Sequence, residues 1–386
     1  MSFIFDSYFR LLLNTRTCKV NTQFIKYNLV LFFTPCFFTP VYSQIKFTDN
    51  LYIRTDYHFG AVIPEYTFVN YLVNDYVKSM EVSIAKESSG VNYWAQLYHY
   101  PTYGLALNIS TLGNNEVFGK QIALSLFYQI HLQEKKNLSL DYKVGLGAAY
   151  LTKKFSINDN YQNIAVGSHL NINFNIGLEG KIHLKDKIYF HTGLTFHHFS
   201  NAMLSEPNLG LNYLTASCGF SYLIGVNQEK IIHEIEPYQP GNEFQVIYAY
   251  GLKHPRALQS KLYYTSSLSL EYNRKLFYKF HLGIGSDLLY DSSTKVDMEI
   301  KGLENYEANN DFKSGIHLSE EFVYHNTSII LQEGVYILLT DKVNNYKIYN
   351  RGIVRQKLTD HLFVNVSMKS HLQILDYPEF GIGYFW

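Results

Sequence analysis

Residues 187–226 read KIYFHTGLTFHHFSNAMLSEPNLGLNYLTASCGFSYLIGV. The first half alternates with period two: Ile188, Phe190, Thr192, Leu194, Phe196, His198 and Ser200 share one face of a strand, while Tyr189, His191, Gly193, Thr195 and His197 share the other. The second half returns with Asn212, Leu214, Ala216, Cys218, Phe220 and Tyr222 on the corresponding apolar face. The stretch is a hairpin with one greasy surface, and that surface ends in His198, Ser200 and Asn212 at the rim beside the connecting loop.

The same alternation runs through the rest of the chain from residue 51. In 170–184, Leu170, Ile172, Phe174, Ile176, Leu178, Ile182 and Leu184 interleave with polar or small residues, and Tyr278, Phe280, Leu282 and Ile284 interleave with Lys279, His281, Gly283 and Gly285. No amphipathic helix and no continuous apolar span of membrane length stands out. Segments of about ten to fifteen alternating residues are the signature of strands that cross a membrane, one face to lipid and the other to water. A soluble β-sandwich alternates too, but its strands are shorter. Composition agrees: of 386 residues 47% are hydrophobic and only 17% charged, with 34 Tyr and 27 Phe to supply interfacial girdles, and the zero net charge offers no basic footprint for nucleic acid.

The expected fold is all-β, an antiparallel transmembrane β-barrel of about 14–16 strands, roughly eight before residue 227 and eight after 242. Tight turns are expected after every second strand, at 134–136, 185–187, 273–275, 325–327 and 359–361, with longer connections between them at 65–75, 152–167, 201–210 and 290–311. The 89–102 connection, with Trp94 and Pro101, is longer than this alternation wants. A linker over 227–242 holds Pro237 and Pro240 and divides the halves 44–226 and 243–386. One barrel is the favoured closure, because a single closed sheet leaves no edge in lipid; the alternative is an eight-stranded barrel plus a second barrel.

Residues 1–43 read as a secretory signal. Lys19 and Lys26 precede an apolar run from Tyr27 to Phe33 that continues to Val41-Tyr42-Ser43, so the mature chain is expected to begin near Gln44. Pro35 and Pro40 break the run and argue against a retained helix. Removing Cys18 and Cys36 leaves Cys218 alone, without a disulfide partner.

At the hairpin rim, His198 and Ser200 lie two apart on one strand and point the same way, about 7 Å apart at the backbone, within reach of a side-chain hydrogen bond. The imidazole is placed to take the seryl proton. The segment His198-Phe199-Ser200-Asn201, followed by Pro207-Asn208 and a polar residue twelve beyond the serine, resembles the active-site segment of the outer-membrane lipid A 3-O-deacylases, the PagL family. The resemblance covers roughly residues 51–226 and implies Ser200 as nucleophile, His198 as base, and Asn201 and Asn208 as oxyanion or positioning groups. The family's orienting acid falls on Asn212, which can hold an imidazole in place but cannot stabilise imidazolium as a carboxylate does. Glu206 in the loop is the alternative acid.

The resemblance implies an outer-membrane serine esterase, a carboxylic ester hydrolase that cleaves an ester-linked 3-hydroxyacyl chain from lipid A in lipopolysaccharide remodelling. Its partners are then lipid A or lipopolysaccharide in the outer leaflet and the membrane itself, with the site near the extracellular rim. The closing Tyr384-Phe385-Trp386 resembles the recognition signal of the barrel-assembly machinery. No cofactor and no metal are expected: His58, His99, His197, His254 and His281 lack metal-ligand spacing and read as lumenal or interfacial. The rival reading is a non-enzymatic channel or structural barrel in which His198 and Ser200 are relics that meet headgroups.

Overall fold

The computed structural model describes residues 47–201, 205–255, 261–339, 346–372 and 374–386. The expected signal lies outside them. The chain forms sixteen antiparallel strands. The first eight are β1 (Leu51–Ile63), β2 (Val77–Glu87), β3 (Thr102–Thr111), β4 (Lys120–Lys135), β5 (Leu138–Leu151), β6 (Leu170–Lys185), β7 (Ile188–Ser200) and β8 (Leu211–Leu223). The second eight are β9 (Gly241–Lys253), β10 (Tyr263–Phe277), β11 (Phe280–Asp291), β12 (Phe312–Tyr324), β13 (Thr327–Leu339), β14 (Ile348–Lys357), β15 (Leu362–His371) and β16 (Ile374–Phe385).

These strands close as two barrels of eight, not one of about sixteen. The first barrel shuts where β1 pairs with β8, from Tyr52 opposite Leu223 to Ile63 opposite Asn212. The second shuts where β16 pairs with β9, from Glu379 opposite Gly251 to Phe385 opposite Gln245. The requirement that lipid see no sheet edge is met equally by two closures. What selects the smaller barrels is the content of the lumen, since eight strands enclose a space that side chains can fill.

Both barrels are inside-out relative to a soluble protein. Leu194 is 57% exposed and Phe220 52%, whereas Arg54 is 5%, Asp287 3% and Arg355 1% exposed. In the first barrel, Arg54 donates to Glu179 (2.6 Å) and to Asp56, while His191 spans Glu179 (3.0 Å) and Ser221 (2.7 Å). Gln129 and His131 engage Asp141 at 2.6 and 2.7 Å. In the second, His317 sits between Asp287 (2.8 Å) and Glu271 (2.9 Å), and Arg351 joins Asp287 (3.1 Å) to Glu379 (3.0 Å). Charges removed from water must be paired in this way, and the inward face of the alternating sequence supplies these partners.

The connections differ from the sequence expectation at one turn and in the short helices they carry. The turn expected at 273–275 is strand, because β10 continues to Phe277 and turns at Tyr278-Lys279, with a register shift between Lys275 and Phe277. Short helices absent from the sequence reading occupy the longer connections: α1 (Thr67–Leu72), α2 (Tyr93–Leu97) and α3 (Thr294–Ile300). The long connection on the tight-turn side, which carries α2, braces the linker and the second barrel. There Gln96 accepts from the His233 backbone (2.6 Å), Lys279 donates to the Leu97 carbonyl (3.1 Å), and the Tyr98 hydroxyl donates to the Val323 carbonyl. No helix of the described residues is long and apolar enough to cross a membrane; the crossing elements are strands.

At the opposite rim of the first barrel an apolar layer lies over the polar lumen. Val69 of α1, Leu112, Phe118, Ala165 and Val166 from the connections pack with Phe199, Leu211 and Tyr213 of the β7–β8 hairpin. The candidate site rests on this layer.

Candidate active site

Strand alternation turns His197 into the lumen and His198 out to the wall, one residue apart. His197 is buried and stacks on Tyr213 with ring centroids 4.4 Å apart. His198 and Ser200 are half-buried on the outer face, as the period-two pattern requires. The register of β7 on β8 sets His198 directly opposite Asn212, and Asn212 Oδ1 accepts from His198 Nδ1 at 2.6 Å. With Nδ1 so engaged, Nε2 is the nitrogen left to take a proton.

The loop 201–210 supplies the other side of the site. Asn208 Nδ2 donates to Ser200 Oγ at 3.0 Å, and Asn208 Oδ1 accepts from the Asn201 backbone N–H at 3.1 Å. The Asn201 side chain is turned into the loop: its Nδ2 donates to the Ser205 carbonyl at 2.8 Å and its Oδ1 accepts from the Ser205 N–H at 3.4 Å. Asn208 thus reaches the serine, and Asn201 braces the loop that presents it. Between Ser200 and His198 no hydrogen bond forms among the described residues.

Glu206 does not take the orienting place. It makes no hydrogen bond to His198 among the described residues, and Nδ1 is engaged by Asn212, set opposite it by strand register. Burial pushes the Glu206 carboxyl above its ordinary range, offset in part by His254 in the β9–β10 connection.

Of the remaining histidines, His58, His197 and His281 are buried in the lumens, where His58 meets Thr215 (3.3 Å) and His281 meets Glu321 (3.2 Å). His99 and His254 lie in connections. Cys218 is exposed on the outer wall of β8. Residues that the sequence did not single out also support the site: Ser205 Oγ donates to the Gly167 carbonyl (3.1 Å), and the Gly210 N–H donates to the Ala165 carbonyl (3.0 Å). These contacts join the site loop to the β5–β6 connection about forty residues away, and no short motif announces such a pairing.

Two closed barrels with apolar walls and polar, ion-paired lumens define a bacterial outer-membrane barrel protein, and His198, Ser200 and Asn212 lie together on the outer face of the first. Residues 79–221 match the family described as lipid A 3-O-deacylase (PagL), and residues 242–386 match the family described as the C-terminal domain of acyloxyacyl hydrolase. The chain thus resembles the PagL family across both barrels, and the matches with the barrel fold support an outer-membrane lipid A deacylase, a hydrolase acting on lipid A. Among solved structures, the outer membrane enzyme PagL is similar at 15% identity and a TM-score of 0.31, covering 43% of this chain and 97% of its own. A mutant of the Rh. blastica porin is similar at 7% identity and a TM-score of 0.18, covering 87% of this chain and 99% of its own. No curated protein matches.

Proposed function

We propose that the chain is a serine esterase that removes an ester-linked 3-hydroxyacyl chain from lipid A, working at the extracellular rim of the first barrel. The observation that carries this reading is the paired contact on the outer wall: Asn212 on His198 Nδ1 and Asn208 on Ser200 Oγ, both facing where acyl chains lie. A substrate already in the membrane reaches such groups laterally. Neither lumen is needed, and both are crossed by buried ion pairs, which speaks against the channel reading.

In the proposed cycle Ser200 Oγ attacks the ester carbonyl carbon while His198 Nε2 takes the seryl proton. Charge on the former carbonyl oxygen is met by the Asn208 amide and neighbouring backbone N–H groups. Collapse breaks the bond to the sugar oxygen, which leaves as a hydroxyl with the proton from His198. Water, deprotonated by the same nitrogen, then attacks the acyl carbon, the bond to Ser200 Oγ breaks, Oγ takes the proton back from His198, and the 3-hydroxy fatty acid leaves. Asn212 holds the imidazole through Nδ1 and leaves Nε2 for the proton, but supplies only a dipole to the imidazolium.

The site sits on the rim of the longer connections, 64–76, 152–169 and 201–210, whereas the turns at 136–137 and 186–187 occupy the other end. Short periplasmic turns and long extracellular loops favour placing Ser200 in the leaflet that holds lipid A. The test is mass spectrometry of lipid A from outer membranes containing the protein, beside Ser200→Ala at equal abundance. Loss of one hydroxyacyl mass that requires Ser200 supports the reading; an unchanged lipid A profile in both samples, or loss in both, overturns it.

A further inference from the structure

Gly167, in the connection between β5 and β6, carries no side chain where the backbone of the site loop passes closest. A Cβ built on it would stand 2.4 Å from the Pro207 carbonyl oxygen, 2.9 Å from that of Ser205 and 3.0 Å from the Glu206 carbonyl carbon. All three are backbone atoms, which cannot rotate away as a side chain would. Gly167 is buried, and its own carbonyl accepts from Ser205 Oγ at 3.1 Å. Two residues earlier, the Ala165 carbonyl accepts from the Gly210 N–H at 3.0 Å. Ala165 and Val166 are anchored in the apolar layer, so the connection is a fixed abutment.

What rests on that abutment is the pair of contacts that defines the site. Asn208 follows Pro207 directly, and its amide is the donor on Ser200 Oγ. Gly210, held by Ala165 in a left-handed conformation (φ +77°), passes the imidazole so closely that a Cβ there would stand 3.0 Å from His198 Cε1. The β5–β6 connection therefore holds the loop residues that flank Asn208 and pass the imidazole.

We infer that Gly167 is a positioning residue for the reaction: its missing side chain lets Pro207 close on the β5–β6 connection, and that close approach sets the Asn208 amide on Ser200. This rests on the reading of Ser200 as nucleophile. An ordinary contact begins near 3.4 Å, so a methyl group at 167 drives the Pro207 carbonyl back by about 1 Å, a displacement that costs about 10²-fold in rate when it moves a catalytic group.

The experiment is the rate of Ser200 phosphonylation by a lipophilic fluorophosphonate in detergent-solubilised full-length protein, together with kcat and KM for release of fatty acid from lipid A. Gly167→Ala is compared with Gly352→Ala, where an added Cβ meets nothing within 4 Å. Phosphonylation and kcat are expected to fall by about 10²-fold in Gly167→Ala with KM and the heat-modifiable gel shift of the folded barrel retained, and to stay at the parent value in Gly352→Ala. Parent-like phosphonylation and kcat in Gly167→Ala overturn the inference. A Gly167→Ala protein that has lost the folded-barrel shift overturns it too, since the residue then serves the fold. If the parent protein itself is not labelled at Ser200, the serine reading fails first, and the two failures are told apart.

Discussion

The two barrels share one plan and differ at one rim. Each closes eight antiparallel strands around paired charges and shows lipid an apolar wall. In the first, β7 ends with His198 and Ser200 on the outer face, His198 lies opposite Asn212, and ten residues connect to β8. In the second, the corresponding strand β15 ends with Met368 and Ser370 partly exposed, Met368 lies opposite Pro378, and two positions connect to β16. A rim serine is thus present in both barrels, but only the first has an imidazole two residues before it, an amide across from that imidazole, and a loop long enough to bring a second amide back. The barrel supplies a wall on which chemistry can be mounted; it does not imply the chemistry.

The sharpest way to break the comparison is at the serines. Ser200→Ala should lower lipid A deacylation by about 10³-fold or more, read as hydroxyacyl release by mass spectrometry, because the nucleophile has no substitute. Asn208→Ala, which removes the donor on Ser200 Oγ, should lower kcat by about 10²-fold to 10³-fold with a smaller change in KM. Asn212→Asp should act in the opposite direction. A carboxylate in the same place stabilises imidazolium, and since replacing the triad Asp by Asn in a serine protease costs about 10⁴-fold, a rise of at least about tenfold in kcat is expected. An unchanged kcat would show that the dipole of the Asn212 amide suffices. Ser370→Ala should leave deacylation unaltered, and any loss there would assign chemistry to the second barrel.

Some fourteen to sixteen strands, about eight in each half, and their inward and outward faces were legible because membrane-crossing strands keep a strict period of two over many residues, as in Leu170–Lys185. The turn misplaced at 273–275 shows the limit of that signal: Asn273, Arg274 and Lys275 look like a turn, yet they pair with Gly283, Leu282 and His281 as strand. Of the candidate site, His198, Ser200 and Asn212 were legible because the faces they share follow from parity alone. The choice of Asn212 over Glu206 as imidazole partner was not, since it depends on which residue of β8 the register sets opposite His198.

By itself, then, the amino-acid order determined the strands, their two faces and the cluster of His198, Ser200 and Asn212 at one rim, because these are properties of neighbours along a pleat. Only the tertiary structure decided that the strands close as two barrels, that the 88–101 connection braces the second barrel, and that Gly167 abuts the loop presenting Asn208. These join residues far apart in the chain, where closure and contact depend on which side chains fill a lumen and how closely two backbones approach. No local pattern encodes either.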